Sequence, residues 1–499
     1  MAASNKNDAV QPQDNLPNVP SRRIHKYVLF SAMLASTNSI LLGYDIGVMS
    51  GAKIFIRDEL KITGVQIEVL VGILNLMSLI GSLLSGKTSD YIGRRYTVVL
   101  AAATFLVGAL LMGLAPSYPV LMAGRMIAGI GVGYSLMIAP VYTSEISPAN
   151  SRGLLASLPE FFIVGGILLG YVSNFVLAGL PSWINWRLML GLAAIPAVVV
   201  GGGVMFMPES PRWLVMKGRI DEANDVLRKT SIDEAEAKFR LDEIRDAANT
   251  GMLSSNWTGQ GVWRELLRPS PTIRRILIAA IGINFFMQAS GNDAVIYYTP
   301  EVFHDAGIHN KKKLFGVNVL MGLSKTTFVL VSAFYLDKFG RRPLLLLGTI
   351  GMAVALAALG LGSKFLEGAT GSKPEWAIIV SLIAVCSFVS FFSIGLGPIT
   401  WVYSSEVFPL RLRAQGAALA ISVNRLVSGG VAMSFLSVSH KITFAGTFFV
   451  LCGIMVVASV FFYFYLPETK GKTLEEMEEL FEVREKDRHP TRVMEMANP

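Results

Sequence analysis

Apolar runs of about twenty residues, the length of helix that crosses a bilayer, recur along this chain too often for a water-soluble core to absorb. Counted in windows of that length they fall at 27–50, 66–86, 96–115, 119–141, 153–178 and 186–207, then at 275–300, 315–336, 343–363, 376–403, 414–438 and 443–466. Lipid offers no partner to stray backbone N–H and C=O groups, so runs of this length are expected as helices whose main chain satisfies itself. The interval between the two sets, 208–274, is charged, with apolar residues at helical spacing and ion-pair-compatible neighbours, as in IDEANDVLRKTSIDEAEAKFRLDEIRDAA. The expected fold is an all-α polytopic membrane protein of twelve transmembrane helices: a six-helix bundle over 27–207, a cytosolic helical linker over 208–274 and a second six-helix bundle over 275–466. Residues 1–26 are polar and have no apolar core, so they read as a disordered cytosolic tail rather than a signal peptide, and 467–499 read as a second cytosolic tail.

The composition fits lipid as the main partner, with 52% hydrophobic and only 16% charged residues. A formal charge of +8 would suggest nucleic acid in a soluble protein, but here the bases sit between the runs. Lys87, Arg94 and Arg95 follow the second run, Arg152 the fourth, Lys338, Arg341 and Arg342 the eighth, and Arg411 and Arg413 the tenth. The loops after the third and fifth runs hold no Lys or Arg, and the loop after the first offsets its three bases with acids. Both termini and the linker are therefore expected on the cytosolic side, with no nucleic-acid partner; Lys311–Lys313 break the alternation. On a cytosolic linker the glycosylation pattern Asn256-Trp257-Thr258 never meets its enzyme. Cys386 and Cys452 lie in apolar runs without metal-ligand spacing, and Gly129, Gly131 and Gly133 follow no strand, so packing explains all five. No nucleophile, base and orienting group stand at catalytic spacing, so neither an enzyme nor a cofactor or metal site is expected.

The seventh run holds FFMQASGNDAVIYYTP (285–300), which places Gln288, Ser290, Gly291, Asn292 and Asp293 at mid-depth, with Tyr297 and Tyr298 after them. An ionisable residue there costs roughly 2.5 to 3.5 kcal/mol on insertion scales and so is expected to face a cavity or a partner. Gly291, flanked by side chains that compete for backbone hydrogen bonds, marks where such a helix loosens. The stretch reads as a broken helix lining a substrate site. The competing reading is a Gly packing contact with Asp293 salt-bridged to a neighbouring helix.

The two halves repeat each other. SDYIGRR (89–95) answers LDKFGRR (336–342), SEISPANSRG (144–153) answers SEVFPLRLRAQG (405–416), and PESPRW (208–213) answers PETKG (467–471), each after the equivalent run. These motifs gather Asp90, Glu145 and Glu209 with Arg94, Arg95 and Arg152 in one half, and Asp337, Glu406 and Glu468 with Arg341, Arg342 and Arg413 in the other. Charges paired across helix ends can latch a mouth shut in one state and release it in another; the alternative is that they only fix topology. With GYDIGVMSG in the first run, the motifs resemble the sugar porter family of the major facilitator superfamily over roughly residues 27–471. The resemblance implies two pseudo-symmetric six-helix bundles, a central site between them, alternating access by rocking, and a helical domain in the middle loop.

Asp45 in the first run and Arg125 in the fourth lie at similar depth from the outer ends of their helices, so they can meet as an ion pair that solvation switches. In proton-coupled members an Asp and an Arg at these motif positions form the coupling pair, which implies Asp45 as proton carrier and Arg125 as its modulator; a permanent structural salt bridge is the alternative. Recognition of a polyhydroxylated ligand needs hydrogen-bonding side chains beside an aromatic or apolar platform. The resemblance places Glu160, Gln288, Asn292, Asp293, Tyr297, Lys325, Trp401 and Asn424 there. Where hexose porters commonly carry amides, this chain has Glu160, Asp293 and Lys325, and Arg425 follows Asn424. Three acids would then face three bases, Asp45, Glu160 and Asp293 against Arg125, Lys325 and Arg425, with Lys325 expected to bond Asp293 or Glu160. A carboxylate accepts two hydroxyl donors of a diol well, so the pocket is expected to favour linear polyols or inositol-like ligands. The pattern is similar to plant polyol/monosaccharide proton symporters, which implies a polyol or monosaccharide and protons as cargo, a plasma-membrane location and function as a monomer. The alternatives are that the charges only pair with one another, that the chain is a uniporter without proton coupling, or that it is a non-transporting sugar sensor.

Overall fold

The computed structural model describes residues 26–147, 152–253, 259–305, 310–368, 374–409, 412–470 and 481. Among the described residues every regular element is helical. Ten helices cross once each as spans 1 to 10: Lys26–Leu60, Gly64–Ile92, Arg94–Gly113, Tyr118–Ile146, Leu154–Leu177, Ser182–Phe206, Pro271–His304, Lys311–Leu336, Arg341–Glu367 and Glu375–Glu406. The eleventh, Arg413–Tyr465, is 53 residues long, about 80 Å at 1.5 Å per residue and too long for one crossing. Thr443, at φ 69 and ψ 160, breaks it into spans 11 and 12, so the helices cross twelve times.

Several spans bend where the sequence supplies a reason. Span 1 is interrupted at Asn38 and Ser39, whose side chains compete with helical hydrogen bonds. Span 7 breaks at Gly291, whose φ of +77 suits glycine, and its helix resumes at Asn292. Span 10 breaks at Gly395.

Close packing rests on missing side chains. A Cβ on Gly43 would lie 1.9 Å from the Ile163 carbonyl oxygen of span 5, and one on Gly133 would lie 2.1 Å from the Ser78 carbonyl oxygen of span 2. Backbones that near each other make up in dispersion what lipid denies in hydrophobic drive. The 129–133 glycines are therefore helix-packing residues.

The halves meet along two helix pairs. Span 2 runs beside span 11, with Gly72 against Met433 and Gly86 against Ala418, and span 5 runs beside span 8, where Gly322 meets Tyr171. Spans 1, 4, 7 and 10 are left to frame the centre. Behind the N-terminal half, short helices at Pro211–Met216 and Ile220–Thr230 and a longer one at Glu234–Leu253 bury Trp213, Leu214, Leu227 and Ile244 in a small core of their own. The segment Asn256-Trp257-Thr258 and Arg411 lie outside the described residues.

Candidate functional site

The break in span 7 builds the centre. Helix restarts at Asn292, so Asn292 and Asp293 occupy the first turn of a half-helix whose dipole favours a carboxylate. Asp293 Oδ2 accepts the Ser428 hydroxyl at 2.8 Å and Oδ1 accepts the Asn292 amide at 3.0 Å. Lys325 of span 8 donates to Asn292 Oδ1 at 3.3 Å and lies 4.7 Å above the Phe392 ring. Its hydrogen bond thus goes to an amide, and not to Asp293 or Glu160 as expected: Asn292 stands between cation and carboxylate and bonds both, one charge at each end of its side chain. From span 11, Arg425 Nη2 stands 3.9 Å from Asp293 Oδ2, while its Nε donates to Asn424 Oδ1 at 2.9 Å and Nη1 to Asn75 Oδ1 at 3.3 Å. Gln288 lies between Asp293 and Arg425, its amide nitrogen donating to Asp293 Oδ2 at 2.9 Å and its oxygen accepting from Arg425 Nη2 at 2.5 Å.

Glu160 meets Trp401 across the boundary between halves, the indole N–H donating to Oε2 at 2.7 Å. Gly397 leaves room for this carboxylate, since a Cβ there would lie 2.8 Å from its Oε1. On the N-terminal side, Arg125 Nη1 donates to both Asp45 oxygens, at 2.7 and 2.9 Å, and the rest of its guanidinium binds the Leu70 and Val71 carbonyls at 3.0 and 3.2 Å. Tyr297 is fully buried, and among the described residues its hydroxyl has no hydrogen-bond partner. Asp45, Arg125, Glu160, Gln288, Asn292, Asp293, Tyr297, Lys325, Trp401, Asn424 and Arg425 are all buried within the protein.

The charged motifs at the helix ends do two jobs rather than one. Arg94 clasps Glu145 through two bonds of 3.0 Å and reaches Asp90 at 3.1 Å; in the other half Arg341 pairs with Glu406 at 3.4 Å. Glu209 and Glu468, expected as salt-bridge partners, instead cap helices. Glu209 accepts the Arg94 and Arg95 main-chain N–H groups at 2.8 and 3.3 Å, and Glu468 those of Arg341 and Arg342, both at 2.9 Å. The first N–H groups of a helix have no internal partner, and a carboxylate at that end also answers the dipole. The guanidiniums of Arg95 and Arg342 bind carbonyls, of Met205 and Tyr463, at 2.5 Å each. Arg413 is buried at the start of span 11, and the side chains of Arg152 and Asp337 lie outside the described residues.

Four groups escaped the sequence reading. Lys53, counted there among loop bases, lies in span 1, which continues to Leu60; it is buried, pairs with Glu301 of span 7 at 2.6 Å and sits 3.9 Å above the Tyr298 ring. Glu68 of span 2 accepts the Ser437 main-chain N–H at 2.8 Å and its hydroxyl at 2.6 Å. Ser428 and Asn75 are the others. Lone polar residues inside apolar runs were the available signal, but nothing in the order of residues says which partner each one meets.

The family model described as Sugar (and other) transporter matches residues 31–481. Polyol transporter 5 of Arabidopsis thaliana is 54% identical over 480 residues, covering 94% of this chain and 89% of its own. The proton:xylose symporter XylE bound to 6-bromo-6-deoxy-D-glucose superposes with a TM-score of 0.81 at 28% identity, over 91% of this chain and 99% of that one. The inward-open form of XylE from E. coli gives 0.69 at 28% identity, with 91% and 100% covered. The arrangement of helices here is thus nearer to the sugar-analogue complex than to the inward-open form.

Proposed function

Since the chain belongs to the sugar (and other) transporter family, we propose that it moves polyols and monosaccharides with protons across a membrane by alternating access, and that the groups gathered at the break of span 7 hold the substrate. One observation carries the site: Asp293, Asn292, Gln288, Asn424 and Arg425 from the C-terminal half converge where Glu160 and Asn75 arrive from the N-terminal half. Vicinal hydroxyls can donate to Asp293 and accept from Arg425 and Lys325, and the Trp401 ring offers a face to C–H groups. A relative described as a polyol transporter at 54% identity supports the polyol preference.

Asp45 carries the proton. Arg125 favours its charged form; when the pair loosens while the carboxyl is still buried, the carboxyl takes a proton and releases the guanidinium. The motif charges serve as cytosolic latches, and the alternation of basic loops supports cytosolic termini. A plasma-membrane location and a monomeric working unit complete the proposal.

The second reading, a uniporter with a permanent Asp45–Arg125 bridge, has its support in the further bonds that tie Arg125 to the Leu70 and Val71 carbonyls. Reconstituted vesicles separate the two. With Asp45→Asn, uphill uptake of sorbitol under an imposed pH gradient should vanish while exchange of internal for external sorbitol persists. Gradient-driven accumulation at the wild-type level by that variant would remove Asp45 from the mechanism.

A further inference from the structure

Building on the transport reading above, we propose that Asn75 of span 2 is a substrate-binding and specificity-determining residue, and that a polyol hydroxyl takes the place now filled by its bond to Arg425. Asn75 is fully buried, and its side-chain oxygen accepts from Arg425 Nη1 at 3.3 Å across the boundary between halves. Among the described residues its amide N–H2 group has no partner. A buried donor without an acceptor is costly inside a membrane protein, and beside a substrate site it is a donor held ready for a ligand oxygen.

Arg425 and Asp293 explain why that ligand is a polyol. Their nearest atoms stand 3.9 Å apart, beyond hydrogen-bond reach, and Asp293 Oδ2 takes the Ser428 hydroxyl at 2.8 Å instead. Acid and base therefore form a loose ion pair, with the Gln288 amide bonded to both, and a hydroxyl of the ligand takes over those bonds. One hydroxyl can donate to the carboxylate while its neighbour on the carbon chain accepts from the guanidinium, and the second oxygen then faces the Asn75 N–H2. A linear polyol turns about its C–C bonds to meet three convergent groups; a pyranose holds its hydroxyls at fixed torsions and meets fewer of them. The exchange also loosens the halves, because the bond that the hydroxyl replaces is one that joins span 2 to span 11.

The test uses the full chain in vesicles, with labelled sorbitol and labelled glucose as probes. Asn75→Ala should raise the sorbitol KM about tenfold, the worth of one hydrogen bond, raise the glucose KM about threefold or less, and leave Vmax within about twofold of wild type. Asn75→Asp keeps the side-chain volume but replaces the donor with a carboxylate that pairs with Arg425. It should raise the sorbitol KM and lower Vmax about tenfold, since that ion pair must break in each cycle. An asparagine needed only for packing predicts the reverse order, with Asp mild and Ala severe. That order, or sorbitol KM values within twofold of wild type in both variants, overturns the proposal. The isosteric Asn75→Asp distinguishes the two roles even if the alanine variant fails to accumulate. Wild-type vesicles that move neither sorbitol nor glucose would overturn the transport reading itself, and this inference with it.

Discussion

Trp401 does more than present a ring. Its indole N–H is the hydrogen-bond donor that Glu160 receives from the other half of the molecule, at 2.7 Å, and both side chains are buried. Trp401→Phe keeps an aromatic face but leaves a buried carboxylate oxygen short of a donor, a loss of about 1–3 kcal/mol. The variant should unfold at lower temperature in detergent and bind sorbitol more weakly; an unchanged melting temperature would mean that Glu160 finds another donor. Glu160 and Trp401 are both legible in the sequence, yet their bond is not, because each reads separately as a ligand contact. Asp45 and Arg125 pair from their equal depths, a quantity that residue order does contain. Asn292 shows the limit: a neutral amide placed between Lys325 and Asp293 satisfies both charges without a direct ion pair, and charge bookkeeping along the chain overlooks neutral intermediaries.

At the scale of helices, the number of spans and the break at Gly291 followed from hydropathy and backbone chemistry, while several helices run past the apolar windows, as Gly64–Ile92 and Tyr118–Ile146 do. The end of span 1 did not follow, since Lys53 reads as a loop base until Glu301 arrives to neutralise it inside the helix. The motif turns offer a sharper case. Gly93 (φ +98) and Gly340 (φ +93) each open a helix whose first N–H groups bind one carboxylate, Glu209 or Glu468. Any Cβ would be strained at that φ, and it would also lie 2.3 Å from Glu209 Oε2 or 2.7 Å from Glu468 Oε2. Glu209→Ala and Glu468→Ala should each cost about 1–2 kcal/mol of stability as lost helix caps. The two caps belong to different halves and share no partner in the hydrogen bonds described, so the double variant should show the sum within about 0.5 kcal/mol. Strong non-additivity in detergent unfolding would show that the halves couple through these turns.

Across the whole molecule the charge pairs at the two ends of the bundle are built differently. The Arg94–Glu145 and Arg341–Glu406 pairs each lie within one half, whereas Lys53–Glu301 and Glu68–Ser437 join one half to the other on the side away from the linker. Sequence repeats reveal the first kind because each half carries its own copy. The second kind has no repeat to reveal it, since each pair takes one residue from each half. Lys53 is buried while about 29% of the Glu301 side chain remains exposed, so solvent screens the pair in part. Glu301→Gln leaves a hydrogen-bond acceptor but removes the charge that compensates a buried ammonium. Opening toward water on that side then relieves the cation, and the equilibrium should shift toward the state open on that side by about tenfold, equivalent to about 1.4 kcal/mol. Spin labels near the outer ends of spans 1 and 7 would report it as a larger population at long separation. Lys53→Gln together with Glu301→Gln should restore the wild-type distribution, because no uncompensated charge is left to draw water in. If the single variant leaves the distance distribution unchanged, the ion pair contributes nothing to gating.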